Sequence, residues 1–259
     1  MELKEWATRI LSATTLEEKL YTPRELSDLE PGPAIFWDTP SRPQGMAFTR
    51  HDKEHKLPPL QEHYCQDKRA ACLHRFAGHE LLAVEIMAYA LLAFPNSPKH
   101  FRKGLANTLK EEQEHVRLYM KRLLEMGIRF GDMPLYRHFW SYVPFLTTPE
   151  KYVSVMSLTF EMANLDFAPM YRNSFTKHGD LESALLMNRI LEDEIAHVSF
   201  GFQWLKRLKP KHQTDWEAWR SNSPEPLSVK RAKGFVFQEE PRKAANIPPC
   251  WIEAIKQSK

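Results

Sequence analysis

The sequence predicts an all-α protein: a four-helix bundle with one long crossover, wrapped by an N-terminal arm and a C-terminal tail. Three observations predict it. Gly is scarce, at 9 of 259 residues, which suits long helices better than tight-turned sheets. The prolines break both ends of the chain and leave four long stretches with helical periodicity. Each of those stretches carries an apolar stripe with one Glu near its middle.

Residues 1–65 form the arm. Leu3, Trp6, Ala7, Ile10 and Leu11 follow a helical period, and Thr15-Leu16-Glu17-Glu18 has the form of a capping box opening a second short helix. Pro31, Pro33, Pro40, Pro43, Pro58 and Pro59 exclude a long helix from Pro23 onward, while Phe36, Trp37, Met46 and Phe48 anchor the loop. The bundle occupies residues 66–210. Its first long helix runs over 66–94 and ends at Pro95-Asn96-Ser97-Pro98; the second runs over 99–126 and stops at Gly127. An aromatic-rich connection follows over 127–148. The third helix starts on Pro149 and runs to Lys177, with Pro169 predicted to kink it or open a bulge about two turns past Glu161. After the turn His178-Gly179-Asp180 the fourth helix spans 181–208 and stops at Pro210. Residues 211–259 form the tail, broken by Pro224, Pro226, Pro241, Pro248 and Pro249 and closed by a short helix around Trp251.

Loop length sets the architecture. The first pair and the last pair of long helices are joined by a few residues, so each is an antiparallel hairpin. The middle connection of about 22 residues reaches up to about 70 Å when extended. A 28-residue helix is only about 42 Å long. The connection therefore climbs the bundle and makes the second and third helices parallel.

Net charge is +3, which neither demands nucleic acid nor excludes RNA. Three cysteines without a CxxC argue against a disulfide framework and for a reducing cytoplasm. The N-terminus carries charge where a signal peptide needs an apolar run, and no stretch reaches the roughly 18 uncharged apolar residues of a membrane span. A cytoplasmic protein with no membrane partner is expected.

The stripes decide which acids face inward. Glu80 lies in the first, between Ala77 and Val84; Glu112 in the second, between Leu109 and Val116; Glu161 in the third; Glu194 in the fourth. His115 follows Glu112, and His197 follows Glu194, by three positions, which places each Glu and His on one helix face. The pattern also repeats: Glu80 precedes Glu112 by 32 residues, and Glu161 precedes Glu194 by 33. A twofold-related pair of hairpins brings four Glu and two His to one level. Four buried carboxylates repel one another and cost several kcal/mol each unless paired. Two divalent cations supply the missing charge, and carboxylates with one imidazole per metal suit iron or manganese better than zinc.

Glu85 and Asp166 each follow a stripe Glu by five positions. Five residues turn a helix by about 140°, so these acids face away and are expected to meet the arm, the crossover or basic residues. Glu111 and Asp193 immediately precede the donor Glu residues. Each is placed to accept the free imidazole N–H of the opposite hairpin, Asp193 for His115 and Glu111 for His197. Tyr119, one turn from His115, lines a substrate or oxidant pocket or packs as an ordinary core tyrosine. His74, His79, His100, His138 and His178 show no matching pattern, and Lys206, Arg207, Lys209 and Lys211 read as a solvated helix end.

Paired Glu-x-x-His helices with one extra Glu per hairpin resemble the ferritin-like di-iron carboxylate superfamily. The wider text, His79-Glu80-Leu81-Leu82-Ala83-Val84-Glu85, Glu112-Gln113-Glu114-His115, Ser157-Leu158-Thr159-Phe160-Glu161 and Asp193-Glu194-Ile195-Ala196-His197-Val198, is similar to its DUF455 branch of uncharacterised ferritin-like proteins. The likeness covers most of the chain, including the N-terminal helix with Trp6. It implies a centre of two iron ions (manganese or a mixed pair as variants) held by the six stripe residues, with Glu112 and Glu194 bridging. It also implies dioxygen or peroxide chemistry at that centre and little more; an oxidoreductase acting on an unnamed small molecule, with an electron donor, is the first expectation. Iron handling without an organic substrate is the other expectation, and a metal-free helical scaffold the third.

Overall fold

The computed structural model describes residues 1–49, 56–225 and 227–258. Pro226, expected to break the tail, lies outside the described residues, as does part of the arm. The fold is all-α, with ten α-helices and two strands of two residues each among the described residues. The chain divides into two compact units, Met1–Pro144 and Phe145–Lys259, and the division falls in the connection between the second and third predicted long helices.

The first unit is built on a hairpin of α3 (Gln66–Ala93) and α4 (Lys99–Glu125), with α1 (Leu3–Ser12) packed on α3 and α2 (Leu16–Lys19) following it. Every residue of α3 from Glu80 to Ala93 is buried, so this half of the helix is buried all round rather than along one stripe. By length and composition α3 also passes the test for a membrane span, but 89% of that window is buried inside the protein, as in a core helix. Helix α4 ends where Gly127 takes φ +79°, with Ile128 N–H bonded back to Leu123 O: the left-handed stop that a Gly supplies at no steric cost.

The arm is fastened by polar groups inside the core. Trp6 is fully buried and donates its indole N–H to Tyr21 O at 2.8 Å. Arg102 is bidentate to Asp28 at 2.8 Å and also donates to Leu91 O and Phe94 O, satisfying carbonyls that the C-terminus of α3 leaves open. Gln113 of α4 donates to Lys19 O at 2.7 Å and accepts from the Thr22 hydroxyl at 2.7 Å. Phe48–Thr49 (β1) pairs in parallel with Leu135–Tyr136 (β2), so the arm and the connection after α4 share a two-residue ladder.

One buried histidine makes the first unit sensitive to acid. His74 Nε2 accepts the backbone N–H of Gly131 at 2.9 Å and of Met133 at 3.3 Å, which only a neutral imidazole can do. Burial lowers its pKa to about 4, against the opposing pull of Asp132. The folded state therefore binds the proton less well than the unfolded chain. Stability is complete above about pH 6.5 and is lost as pH falls toward 4, with a slope of at most about 1.4 kcal/mol per pH unit from this group. In urea titrations between pH 7 and 4, His74→Gln should flatten that slope; an unchanged slope assigns it elsewhere.

The second unit carries the other hairpin. Its first arm is α5 (Pro149–Val155), a π-helical turn (Met156–Glu161) and α6 (Met162–Lys177); its second is α7 (Leu181–Leu208). Thr148 caps α5 by accepting Lys151 N–H, and Asp180 caps α7 by accepting Ser183 N–H. A π-helical irregularity that the sequence did not predict ends on Glu161, and Pro169 lies inside α6, which is helical on both sides of it. Two local causes sit at the π turn. The Thr159 hydroxyl donates to Ser154 O at 2.7 Å, five residues back, and Gly201 of α7 lets Ser157 approach closely. The tail packs on this hairpin through α8 (Asp215–Ser221), α9 (Glu239–Ala244) and α10 (Pro249–Gln257). Of these the sequence signals used above found only α10, although Thr214 and Glu217 form a capping box at the head of α8.

Candidate functional site

In the first unit α3 supplies Glu80, and α4 supplies Glu112 and His115 from one face. All three are buried, Glu80 at 6% exposure and the other two at 1%. One donor atom from each lies within 4.8 Å of the other two. His115 Nδ1 is 3.1 Å from Glu112 Oε2. Two carboxylates and an imidazole converging at this range form a donor set for a hard or borderline cation. Tyr119, one turn on, is 1% exposed and packs edge-on to Phe76 at 6.2 Å, a buried phenol on the same helix as the donors.

In the second unit Glu194 and His197 sit on α7, 1% and 2% exposed, with Glu194 Oε2 3.8 Å from His197 Nδ1. That separation is too long for a hydrogen bond. Glu194 Oε1 accepts the side-chain amide of Asn164 at 2.8 Å, whereas the buried Oε2 has no hydrogen-bond partner among the described residues. Glu161 is the last residue of the π turn and is buried. Asn164, one turn after it on α6, was not singled out in the sequence. Its signal was available: a polar side chain three positions from Glu161, on the same helix face.

The neighbouring acids are placed differently. Glu85 is fully buried and meets two cations of the arm, Lys19 at 2.8 Å and Arg42 in a shorter contact. Burial pulls the Lys19 ammonium below its usual range, and Glu85 opposes that pull. Asp166 is bidentate to Arg242 of α9, at 2.6 and 2.9 Å, and accepts backbone N–H groups from Gly234 and Gln238. Both acids thus face the terminal segments and basic residues, in line with their five-residue offset. Glu111 is exposed on α4. Asp193 is half-buried and pairs with Arg189 at 2.9 Å one turn back on α7. Gln113, between the two donors of α4, was also missed: it ties the donor turn to the arm.

Cysteine is not part of either set. Cys72 is buried against His63 at 3.5 Å, and burial pushes its thiol up to about 12, so it stays protonated.

Comparison with known proteins finds one family, described as "Protein of unknown function (DUF455)", matching residues 2–253. No curated protein and no solved structure matches.

Proposed function

The chain belongs to the DUF455 family, whose description carries no activity, and from that premise we propose that it is a di-metal carboxylate protein. On this reading it holds two iron ions and is an oxidoreductase that uses dioxygen or peroxide on a small organic substrate. The observation that carries the reading is a contrast among buried acids. Glu85 and Asp166 are neutralised by Lys19, Arg42 and Arg242. Glu194, equally buried, is met by the neutral amide of Asn164 and keeps one oxygen without a donor. A buried carboxylate in that state costs several kcal/mol, and a bound cation relieves it. Two Glu and one His in each unit give each dication two compensating charges, and oxygen with imidazole donors and no thiolate suits iron or manganese.

Glu80, Glu112, His115, Glu161, Glu194 and His197 would hold the ions, which when bound would supply electrons for the reduction of dioxygen or peroxide. The chain's own part is positional. Glu112 and His115 lie one turn apart on α4, so the helix fixes their spacing before any ion arrives. Asn164 holds one oxygen of Glu194 and leaves the other available. The buried apolar run of α3 around Glu80 excludes water. Tyr119 offers a phenol to a substrate or oxidant beside His115.

The test is anaerobic loading with ferrous iron, elemental analysis, and optical and Mössbauer spectra before and after oxygen. The expected result is about two ions per chain, oxidised together, as in two-metal carboxylate bundles. His115→Ala combined with His197→Ala should bring the content below one. A wild-type content already below one, unchanged by that double substitution, ends the proposal. Oxidation of iron with no organic molecule consumed, on a cage-sized particle, assigns the protein to iron handling instead.

A further inference from the structure

A cavity of about 240 Å³ lies in the first unit, between the arm, α3 and the connection after α4. Its polar lining is Lys56 of the arm, His74 and Arg75 of α3, and Tyr136 of β2. Leu57, Pro58 and Met133 are among the apolar side chains that complete it. Among the described residues, neither a carboxylate nor any of the six candidate metal donors lines it. His74 decides the polarity of the wall. The residue is 1% exposed, and its Nε2 accepts the backbone N–H groups of Gly131 and Met133. A neutral imidazole has one acceptor nitrogen, so the ring proton sits on Nδ1 and makes it a donor. No described residue accepts that N–H. Arg75 Cζ lies 3.9 Å from the centre of the Tyr136 ring, which holds the guanidinium against it. Tyr136 is itself fixed, 6% exposed and paired with Thr49 in the two-residue ladder. Lys56 is exposed and adds a second cation. Asp132 acts on the His74 ring from nearby, but it accepts the N–H of Arg129 at 2.8 Å and does not line the cavity.

We propose that this cavity binds a small organic dianion, a phosphate monoester or a short dicarboxylate. Two cations and one neutral N–H donor line it, and an oxyanion accepts hydrogen bonds from all three. A guanidinium offers a planar fork to two oxygens, and an ammonium adds a point charge. A buried donor left unbonded costs free energy. Water can bond the His74 N–H, but only an anion also balances the charge of Lys56 and Arg75. Burial pulls the Arg75 guanidinium below its usual range, a shift that a bound anion opposes. The volume falls below the roughly 300–1,000 Å³ of drug-sized sites, so the ligand is a charged head, or two, on a short carbon body. That body meets Leu57, Pro58 and Met133. The inference stands apart from the metal reading, because the cavity shares no residue with the candidate donors and lies within one unit.

Isothermal titration calorimetry of the full-length protein with ethyl phosphate and with succinate, at constant ionic strength in sodium chloride, tests the site. The expected result is one dianion bound per chain, and the tighter of the two names the class. Arg75→Gln should weaken binding by about tenfold or more, the loss of a charge-assisted hydrogen bond. Lys56→Gln, at an exposed position, should weaken it by about threefold, since solvent screens that charge. Lys103→Gln removes the same charge from an exposed position of α4 outside the cavity and should change nothing. Imidazole 1H–15N NMR at neutral pH reads the hydrogen bond directly: the His74 Nδ1–H signal should move downfield as ligand is added. Each titration is repeated after chelation, because bound metal also takes up phosphate. Binding that disappears with the chelator overturns the proposal, as does binding that Lys56→Gln and Lys103→Gln weaken equally. Binding that leaves the His74 signal unmoved overturns it too, and so does no binding of either dianion at about 10 mM. If Arg75→Gln unfolds, Lys56→Gln set against Lys103→Gln carries the charge test and the His74 signal carries the geometry.

Discussion

Gly201→Ala is expected to destabilise the second unit by about 2 kcal/mol, the reverse of what the same change does in an ordinary helix. A Gly in a helix interior costs about 1 kcal/mol relative to Ala, so propensity alone predicts a gain. The contact decides otherwise. A Cβ at Gly201 would stand 2.2 Å from Ser157 Cβ and 3.5 Å from its Cα. Those atoms are the root of a side chain, not its flexible end, so the π turn itself must move. Overpacking of this kind costs about 1–3 kcal/mol and sometimes more. Ser157→Gly in the same background removes the obstacle, and the pair should show a coupling of about 1–2 kcal/mol in urea unfolding. The displaced turn ends on Glu161, so Gly201→Ala should also weaken metal retention in the loaded protein. If Gly201→Ala proves as stable as the wild type or more so, the close approach of α7 to the π turn is wrong.

This contact marks the limit of what periodicity conveys. The long helices were legible because their ends are punctuated by local chemistry: Pro95 and Pro98 between α3 and α4, Gly127 after α4, Pro149 and Asp180 at the starts of α5 and α7. The candidate donors drew attention in the sequence because a Glu in an apolar stripe is conspicuous, and two of the four are followed by a His three positions on. The π turn was not, since reading stripes assumes 3.6 residues per turn and the inserted residue depends on Thr159 finding Ser154 O and on Gly201 making room. The ladder of β1 with β2 joins positions 87 apart in two-residue strands, too short to show alternation. Asn164 and Gln113 were overlooked for another reason: a neutral amide in a buried run has no charge to draw attention, and its role appears only with its partner. Glu85 and Asp166 were separated from the donors by angle alone, and their partners, 43 and 76 residues away for Arg42 and Arg242, have no local signature.

Asp166→Ala is expected to cost about 3–5 kcal/mol. Asp166 and Arg242 are both fully buried, and removing one leaves the other's charge in a low-dielectric interior without a counter-ion. Arg242 would retain Gln238 O on Nη1 and Ala232 O and Met162 O on Nη2, neutral acceptors that do not offset its charge. Asp166→Leu with Arg242→Met removes both charges and should lose less than Asp166→Ala alone, because a buried pair replaced by apolar groups is often near neutral. The same logic applies to Glu85, where Glu85→Ala leaves both Lys19 and Arg42 without a carboxylate. Urea unfolding of the three variants checks the ordering, and single-site losses below about 1 kcal/mol would mean that the pairs behave as solvated surface bridges. The functional consequence follows from position. Each acid lies five residues after a candidate donor Glu, and each holds a terminal segment: Glu85 the arm, Asp166 the tail. Asp166→Ala should therefore loosen residues 233–242 first, seen as faster amide exchange there at denaturant concentrations that leave α6 and α7 protected.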